Sequence, residues 1–330
     1  MSNVMTMDRN ISLDSLKFLL IIFVCIGHMM QTGAYQMTYS TDVLYRLIYS
    51  FHVPAFAFLS GYFTNENKSY SNKIIELLET VLVGNVIWRL LNREPLTWNI
   101  LFIPEYHLWY LYALIIWRLF LYNLKKYYSK VTVLVISLFL FLVSALFEVW
   151  YMGLYLVLTY APFFVFGNLL KDKYIEIGGG KRWYVYIFPF IVTLALYYFF
   201  PNIGSISHNN IVGVTVIEKG ISLILDRVSF IIIAFILVIS LLHLNDKLSY
   251  PIWFANLGRN NLIYYFYHGF LRCVALQIII INSIEINIIV IILASILILF
   301  IINIIANSEI SYWIMNPITF SIKKIKNIHV

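Results

Sequence analysis

Long apolar runs follow one another along almost the whole of this 330-residue chain, and only a lipid solvent lets such a sequence fold. Hydrophobic residues make up 61% of it and charged residues 12%. A soluble globular domain holds about 45–50% apolar and about 25% charged residues. The runs are continuous, whereas barrel strands alternate over about ten residues, so the expected spanning element is the helix. A span needs roughly 17–25 mostly apolar residues. Spans are therefore expected near 12–31, 44–63, 74–91, 107–123, 131–148, 151–170, 183–200, 221–243, 260–281 and 286–306. The third is the most interrupted, by Glu76, Glu79 and Arg89. The expected fold class is all-α, a polytopic integral membrane helical bundle. It forms a single domain over 1–330 with short cytoplasmic tails at 1–11 and 307–330.

The net charge of +7 raises a nucleic-acid reading. The basic residues, however, are scattered over short loops between apolar segments, which is the pattern of membrane orientation. With the N-terminus inside, the inner loops hold 15 of the 23 Lys and Arg residues and the outer loops 3, namely Arg46, Arg93 and Lys219. That bias puts both termini in the cytoplasm. Cys25 and Cys273 lie inside apolar segments and read as small buried hydrophobes. No CxxC or metal-ligand cluster appears, so no metal is expected. The Gly178–Gly180 run reads as a cytoplasmic turn. The first apolar run is followed by Gln31-Thr32-Gly33-Ala34-Tyr35 and reads as a retained span, not a removed signal peptide.

Ionisable groups inside spans are costly and usually face a cavity or a partner. The first span carries Asp14, Lys17 and His28. Asp14 and Lys17 are three apart and can pair. His28 falls on nearly the same helix face, about 21 Å further on. It reads either as a site residue or as a histidine satisfied by a neighbouring carbonyl. His52 precedes Pro54, which frees a backbone carbonyl, and Ser60-Gly61 permits close helix approach. His107 and Trp109 open the fourth span, where an aromatic belt is also expected, and Arg118 lies deeper in it. His268 and Arg272 are four apart on one face of the ninth span. Arg89, Glu148, Asp226 and Arg227 sit near outer span ends, where salt bridges or snorkelling are the default.

Five segments in order resemble the acyltransferase-3 family of bacterial membrane O-acyltransferases. They are Arg9…Leu13-Asp14-Ser15-Leu16-Lys17…Gly27-His28; Phe51-His52-Val53-Pro54…Phe58-Leu59-Ser60-Gly61-Tyr62; His107-Leu108-Trp109-Tyr110-Leu111; Phe163-Phe164-Val165-Phe166-Gly167; and Leu257-Gly258-Arg259-Asn260-Asn261-Leu262-Ile263-Tyr264…Tyr267-His268. Lys17 stands where the family usually has arginine. The basic pair common after the second span is absent, with Lys68 and Lys73 the nearest substitutes. No SGNH-type domain is expected within these 330 residues, so the membrane domain or a separate partner is expected to complete any transfer.

The resemblance implies transfer of an acyl group, usually acetyl, from cytoplasmic acetyl-CoA or another acyl-CoA to a hydroxyl of a cell-envelope carbohydrate. Capsule, exopolysaccharide and lipid-linked precursor all remain open as acceptors. The location implied is the bacterial cytoplasmic membrane, with other glycan-assembly proteins as partners. His28 matches the family's essential first-span histidine and is the expected general base or transient acyl carrier. Asp14, Arg118 and Arg272 complete the expected catalytic set, the arginines as oxyanion or phosphate ligands. Arg9, Lys17, Lys68 and Lys73 are the expected donor contacts. His52, Ser60, His107, Trp109 and His268 are the expected acceptor contacts. A transporter or flippase of an envelope glycan intermediate or of acyl groups is the competing class. A glycan polymerase would need a larger outer loop than 92–106 or 201–220.

Overall fold

A computed structural model describes residues 11–31, 37–65, 70–144, 153–171, 182–200 and 221–328. Arg9, Lys68, Glu148, Lys219 and the Gly178–Gly180 run lie outside the described residues. Every expected span coincides with a helix. In chain order they are α1 (Ile11–Met30), α2 (Tyr39–Tyr62), α3 (Tyr70–Leu91), α4 (Trp109–Leu124), α5 (Lys130–Val143), α6 (Leu154–Leu169), α7 (Tyr184–Phe199), α8 (Ile221–Asn245), α10 (Asn261–Ile281) and α11 (Ile288–Ala306). Three further helices are α9 (Ile252–Arg259), α12 (Glu309–Met315) and α13 (Pro317–Ile328). No strand occurs among the described residues. Among the described residues six segments are long and apolar enough to cross a bilayer by length and composition, namely α1, α2, α8, α10, α11 and the stretch Trp98–Leu124 that ends in α4; α5, α6 and α7 are shorter apolar helices. The charges of α3 keep it outside both groups.

Local signals set the ends. Thr38 caps α2 by accepting from the Thr41 amide, and Asp42 pairs with Arg46 one turn on, so α2 starts five residues before its apolar run. Ser129 caps α5 in the same way.

Three glycines let helices meet backbone to backbone, as small residues do in membranes. An added Cβ at Gly61 would overlap the Phe164 carbonyl of α6, and one at Gly167 the Phe58 carbonyl of α2. Asn168 Nδ2 donates to Gly61 O at 3.2 Å across that seam. An added Cβ at Gly258 would overlap the Asp14 carbonyl, which presses α9 against the start of α1.

The segment expected as a tail after 307 is helical and fastened. Glu79 of α3 accepts from the Ile318 and Thr319 amides at 2.5 and 3.2 Å and from Thr319 Oγ1 at 2.6 Å, so its carboxylate caps α13. Glu76 takes Lys323 at 2.6 Å. This pair and the hydrogen bond that Lys323 Nζ donates to the Tyr312 hydroxyl at 2.8 Å raise the Lys323 pKa. The acidic residues that interrupt the third span thus have a packing role.

Two ends of the bundle can be told apart. Ser12 O accepts from Asn245 Nδ2 at 3.0 Å, which sets the start of α1 beside the end of α8. Lys17, Lys125, Lys171 and Arg259 gather here, and we call it the basic end. His28 lies at the opposite end of α1, the histidine end.

Gly61→Ala is expected to destabilise the protein by about 2 kcal/mol or more through overpacking against backbone. Gly27→Ala, whose Cβ would meet side chains and not backbone, the Tyr49 ring at 3.0 Å and Ile48 at 3.6 Å, is expected to cost less. Thermal melting of the purified variants in one detergent reads the difference.

Candidate active site

His28 stands two residues before the last residue of α1, and three groups fix it. Its Nδ1 is 3.2 Å from Gln31 Oε1 and 3.1 Å from the Tyr106 hydroxyl. Gln31 Nε2 donates to the Tyr45 hydroxyl at 2.7 Å, which turns the Gln31 carbonyl oxygen toward the ring. An amide oxygen only accepts, so Nδ1 carries the hydrogen and Nε2 is left as a lone pair. His28 Nε2 makes no hydrogen bond among the described residues, and the side chain is half-buried. An oriented ring with one free basic nitrogen is the arrangement a general base requires.

Arg272 of α10 holds the backbone beneath this ring. Its Nε donates to His28 O at 2.7 Å and an Nη to Gln31 O at 3.4 Å. Carbonyls at a helix end lack intrahelical donors, and a cation there also suits the helix dipole. The guanidinium lies 5.0 Å from the centre of the Tyr106 ring. Through these two bonds Arg272 positions the end of α1.

Tyr106 reaches His28 from the loop before α4 through a left-handed backbone, φ +37°. Such a conformation is costly for a tyrosine. It is sustained by stacking on Trp88 of α3, with ring centres 5.0 Å apart and planes 12° apart. The same loop is tied to α3 by Arg89–Glu105 at 2.7 Å and by Asn85 Nδ2 on the carbonyls of Ile100 and Ile103.

The other span histidines converge here. The His268 ring centre is 5.3 Å from that of His28 and 5.0 Å from that of His107. His268 Nδ1 donates to Tyr265 O at 2.6 Å, leaving Nε2 buried without a partner. His107 Nε2 donates to Phe266 O at 3.0 Å, and its Nδ1 lies against Gly269, where an added Cβ would overlap the ring. His107 thus wedges α4 against α10, and Tyr265 OH completes the tie by donating to His107 O. His52 Nδ1 donates to Ile48 O at 2.7 Å, and its ring packs on Tyr49 within electrostatic range of His28 and His268.

The remaining expected site residues lie apart from His28. Ser60 bonds the Tyr110 hydroxyl at 2.9 Å. Trp109 stacks on Tyr160 of α6, 5.7 Å between ring centres. Arg118 is eleven residues along α4 from His107, about 16 Å nearer the basic end. Asp14 is at that end too, bonded to Lys17 at 2.9 Å and to Arg259 at 3.4 Å. It clamps α1 to α9 and does not meet His28. Lys17 also lies 3.8 Å over the Phe63 ring. Lys73 is exposed at the start of α3.

Gln31, Tyr45 and Tyr106 were not singled out by sequence. Gln31 was within reach, three residues beyond His28 on the same helix face. At the basic end the unexpected members are Lys171, which donates to Thr64 O at 3.2 Å, and Lys125, which donates to Asn168 Oδ1 at 3.4 Å. No group of three or more His, Cys, Asp or Glu that could hold a metal occurs among the described residues.

A family model described as an acyltransferase domain matches residues 10–307. The chain is also similar to the nodulation protein NolL of Mesorhizobium japonicum, 33% identical over 88 residues, which is 25% of this chain and 24% of that protein. The chain thus spans about a quarter of the length of the curated relative it matches. No solved structure matches.

Gln31→Leu is expected to lower turnover about 10- to 100-fold, because the ring loses the acceptor that fixes its tautomer. The KM for the acyl donor is expected to stay within about twofold. Steady-state acyl-transfer kinetics of the purified variant check both.

Proposed function

The chain belongs to the acyltransferase-3 family, and we propose that it is a multi-pass membrane O-acyltransferase. It moves an acyl group, acetyl first among candidates, from an acyl-CoA to a hydroxyl of a cell-envelope glycan or its lipid-linked precursor. The observation that carries this reading is the free Nε2 of His28 beside the unpartnered Nε2 of His268. Two bare ring acceptors 5.3 Å apart between ring centres suit a molecule that donates hydroxyl hydrogens, as a sugar does.

In the proposed reaction the acceptor hydroxyl gives its proton to His28 Nε2 as its oxygen attacks the thioester carbonyl. The tetrahedral intermediate collapses with cleavage of the C–S bond. The imidazolium returns the proton to the departing sulfur, giving an O-acyl ester and the free thiol of coenzyme A. His28 acts as a base here, since Gln31 holds Nδ1–H and leaves Nε2 for the proton transfer.

The donor's phosphates fit the basic end. Lys17, Lys125 and Lys171 lie by the ends of α2 and α6 there, Arg259 shares Asp14 with Lys17, and the acyl arm would run along α1 for about 16 Å, from Lys17 to His28. The acceptor then comes from the histidine end. With the N-terminus inside, as the distribution of basic residues indicates, the donor side is cytoplasmic and the acceptor side faces outward.

His28→Ala is expected to reduce acylation about 10²- to 10⁴-fold. Deletion of the gene removes an acyl group from the host's surface glycan, wild type restores it, and His28→Ala at matched membrane level does not. NMR of the glycan before and after mild alkali reads this. Full rescue by His28→Ala would refute the reading, and glycan accumulating inside the cell with its acylation unchanged would favour transport. Replacing Lys125 and Lys171 together by Ala is expected to raise the KM for acetyl-CoA roughly tenfold with turnover retained.

A further inference from the structure

Arg227 of α8 is 2% exposed among apolar helices. A guanidinium out of water is costly unless an anion or a full set of acceptors offsets it. Three other arginines of low exposure have such partners. Arg46 has Asp42 at 3.1 Å and Tyr197 O at 2.8 Å, Arg89 has Glu105, and Arg272 has the end of α1. Arg227 has no carboxylate within salt-bridge distance among the described residues. Its Nη1 alone ties α8 to the end of α5, donating to Ser144 Oγ at 2.6 Å and Phe141 O at 3.3 Å. Nε is buried without a partner, and Nη2 makes no hydrogen bond among the described residues. Nε and Nη2 form the edge of a guanidinium that grips a carboxylate or phosphate in two parallel bonds.

The position of this edge indicates its ligand. From the Ser12–Asn245 contact, His28 is sixteen residues up α1, about 24 Å, and Arg227 is eighteen residues up α8, about 27 Å. Both therefore stand at the histidine end, far from the basic end. Aromatic rings stand beside each. Gln31 bonds Tyr45, whose ring lies 4.3 Å from that of Tyr49. The Tyr160 ring is flanked by Trp109 and by Phe230, one turn beyond Arg227. Tyrosine and tryptophan present an apolar face with a polar tip, which suits a sugar's apolar face and hydroxyl rim.

We propose that the Nε–Nη2 edge of Arg227 is an anion subsite for the acceptor, holding a carboxylate or phosphate oxyanion of the glycan while the hydroxyl to be acylated lies at His28. The inference rests on the reading of the chain as a glycan O-acyltransferase. The oxyanion belongs either to an acidic sugar or to the phosphate of a lipid carrier.

The test uses a deletion strain carrying wild type, Arg227→Gln, Arg227→Lys or Ser144→Ala at matched membrane levels, with acyl groups assigned to their sugars by NMR. Membranes from each strain are also given acetyl-CoA and three acceptors. These are the strain's own polymer after alkali deacylation, the same polymer with its carboxyls reduced to alcohols, and its lipid-linked precursor. Arg227→Gln is expected to lower acylation about tenfold or more and Arg227→Lys by less, since it keeps the charge without the fork. Ser144→Ala, which removes one of the two Nη1 bonds to α5 and touches neither Nε nor Nη2, is expected to leave acylation intact. An acidic sugar as ligand shows as loss of wild-type activity on the reduced polymer. A carrier phosphate shows as activity on the lipid-linked precursor alone. Equal wild-type activity on native and reduced carrier-free polymer overturns the subsite, and does so even where Arg227→Gln fails to accumulate. Full activity of Arg227→Gln overturns it as well. If deletion removes no acyl group from any glycan, the acyltransferase reading falls first and the subsite with it, a result distinct from either of those.

Discussion

A helix that ends among apolar neighbours leaves backbone carbonyls that no water is at hand to satisfy. At the end of α1 those carbonyls belong to His28 and Gln31, and Arg272 takes both. The one contact meets the demand of the helix end, places a cation where the helix dipole favours it and joins α10 to α1 at the depth of the histidine. His268 is on the same face of α10, one turn away, so the grip that fixes His28 also brings the second ring to it. Tyr106 lies under the same guanidinium and presents its hydroxyl to His28. The site is thus a by-product of how α1 is terminated.

Around this point the bundle separates two tasks. Backbone contact at Gly61 and Gly167 locks α2 to α6, and Gly258 locks α9 to the start of α1. These seams define the basic end, where Asp14 is a clamp between helices. α3 acts as a brace, holding α13 with Glu79 at one end and stacking Trp88 on Tyr106 at the other. A reaction whose donor and acceptor come from opposite sides needs such a division, with rigid walls and one basic nitrogen facing the space between.

The spans were legible because lipid admits only long apolar helices, and each expected span has its helix within a few residues. The start of α2 was missed by five residues because Asp42 and Arg46 pair within the helix and so extend it beyond the apolar run. The fourth span starts in a tight turn, since Tyr106 takes a left-handed backbone that nothing in its residue type suggests. His28, His268 and Arg272 were legible as groups too polar for their surroundings. The same signal also raised Asp14 and Arg118, because a costly side chain marks a partner as readily as a ligand. Tyr45 and Tyr106 were hidden by the aromatic belt, where tyrosine is ordinary. The contact that makes Tyr106 matter crosses 78 residues of sequence.

The account stands most directly on where the acyl carbon comes to rest. A structure of the wild-type protein in lipid nanodiscs, bound to an acetyl-CoA analogue with nitrogen in place of the thioester sulfur, measures this. The expected result is the nucleotide phosphates among Lys17, Lys125, Lys171 and Arg259, with the acyl carbonyl carbon about 3–4 Å from the space where a hydroxyl would meet His28 Nε2. An acyl group held elsewhere, or a His28 ring turned to lipid with the analogue bound, would contradict the account.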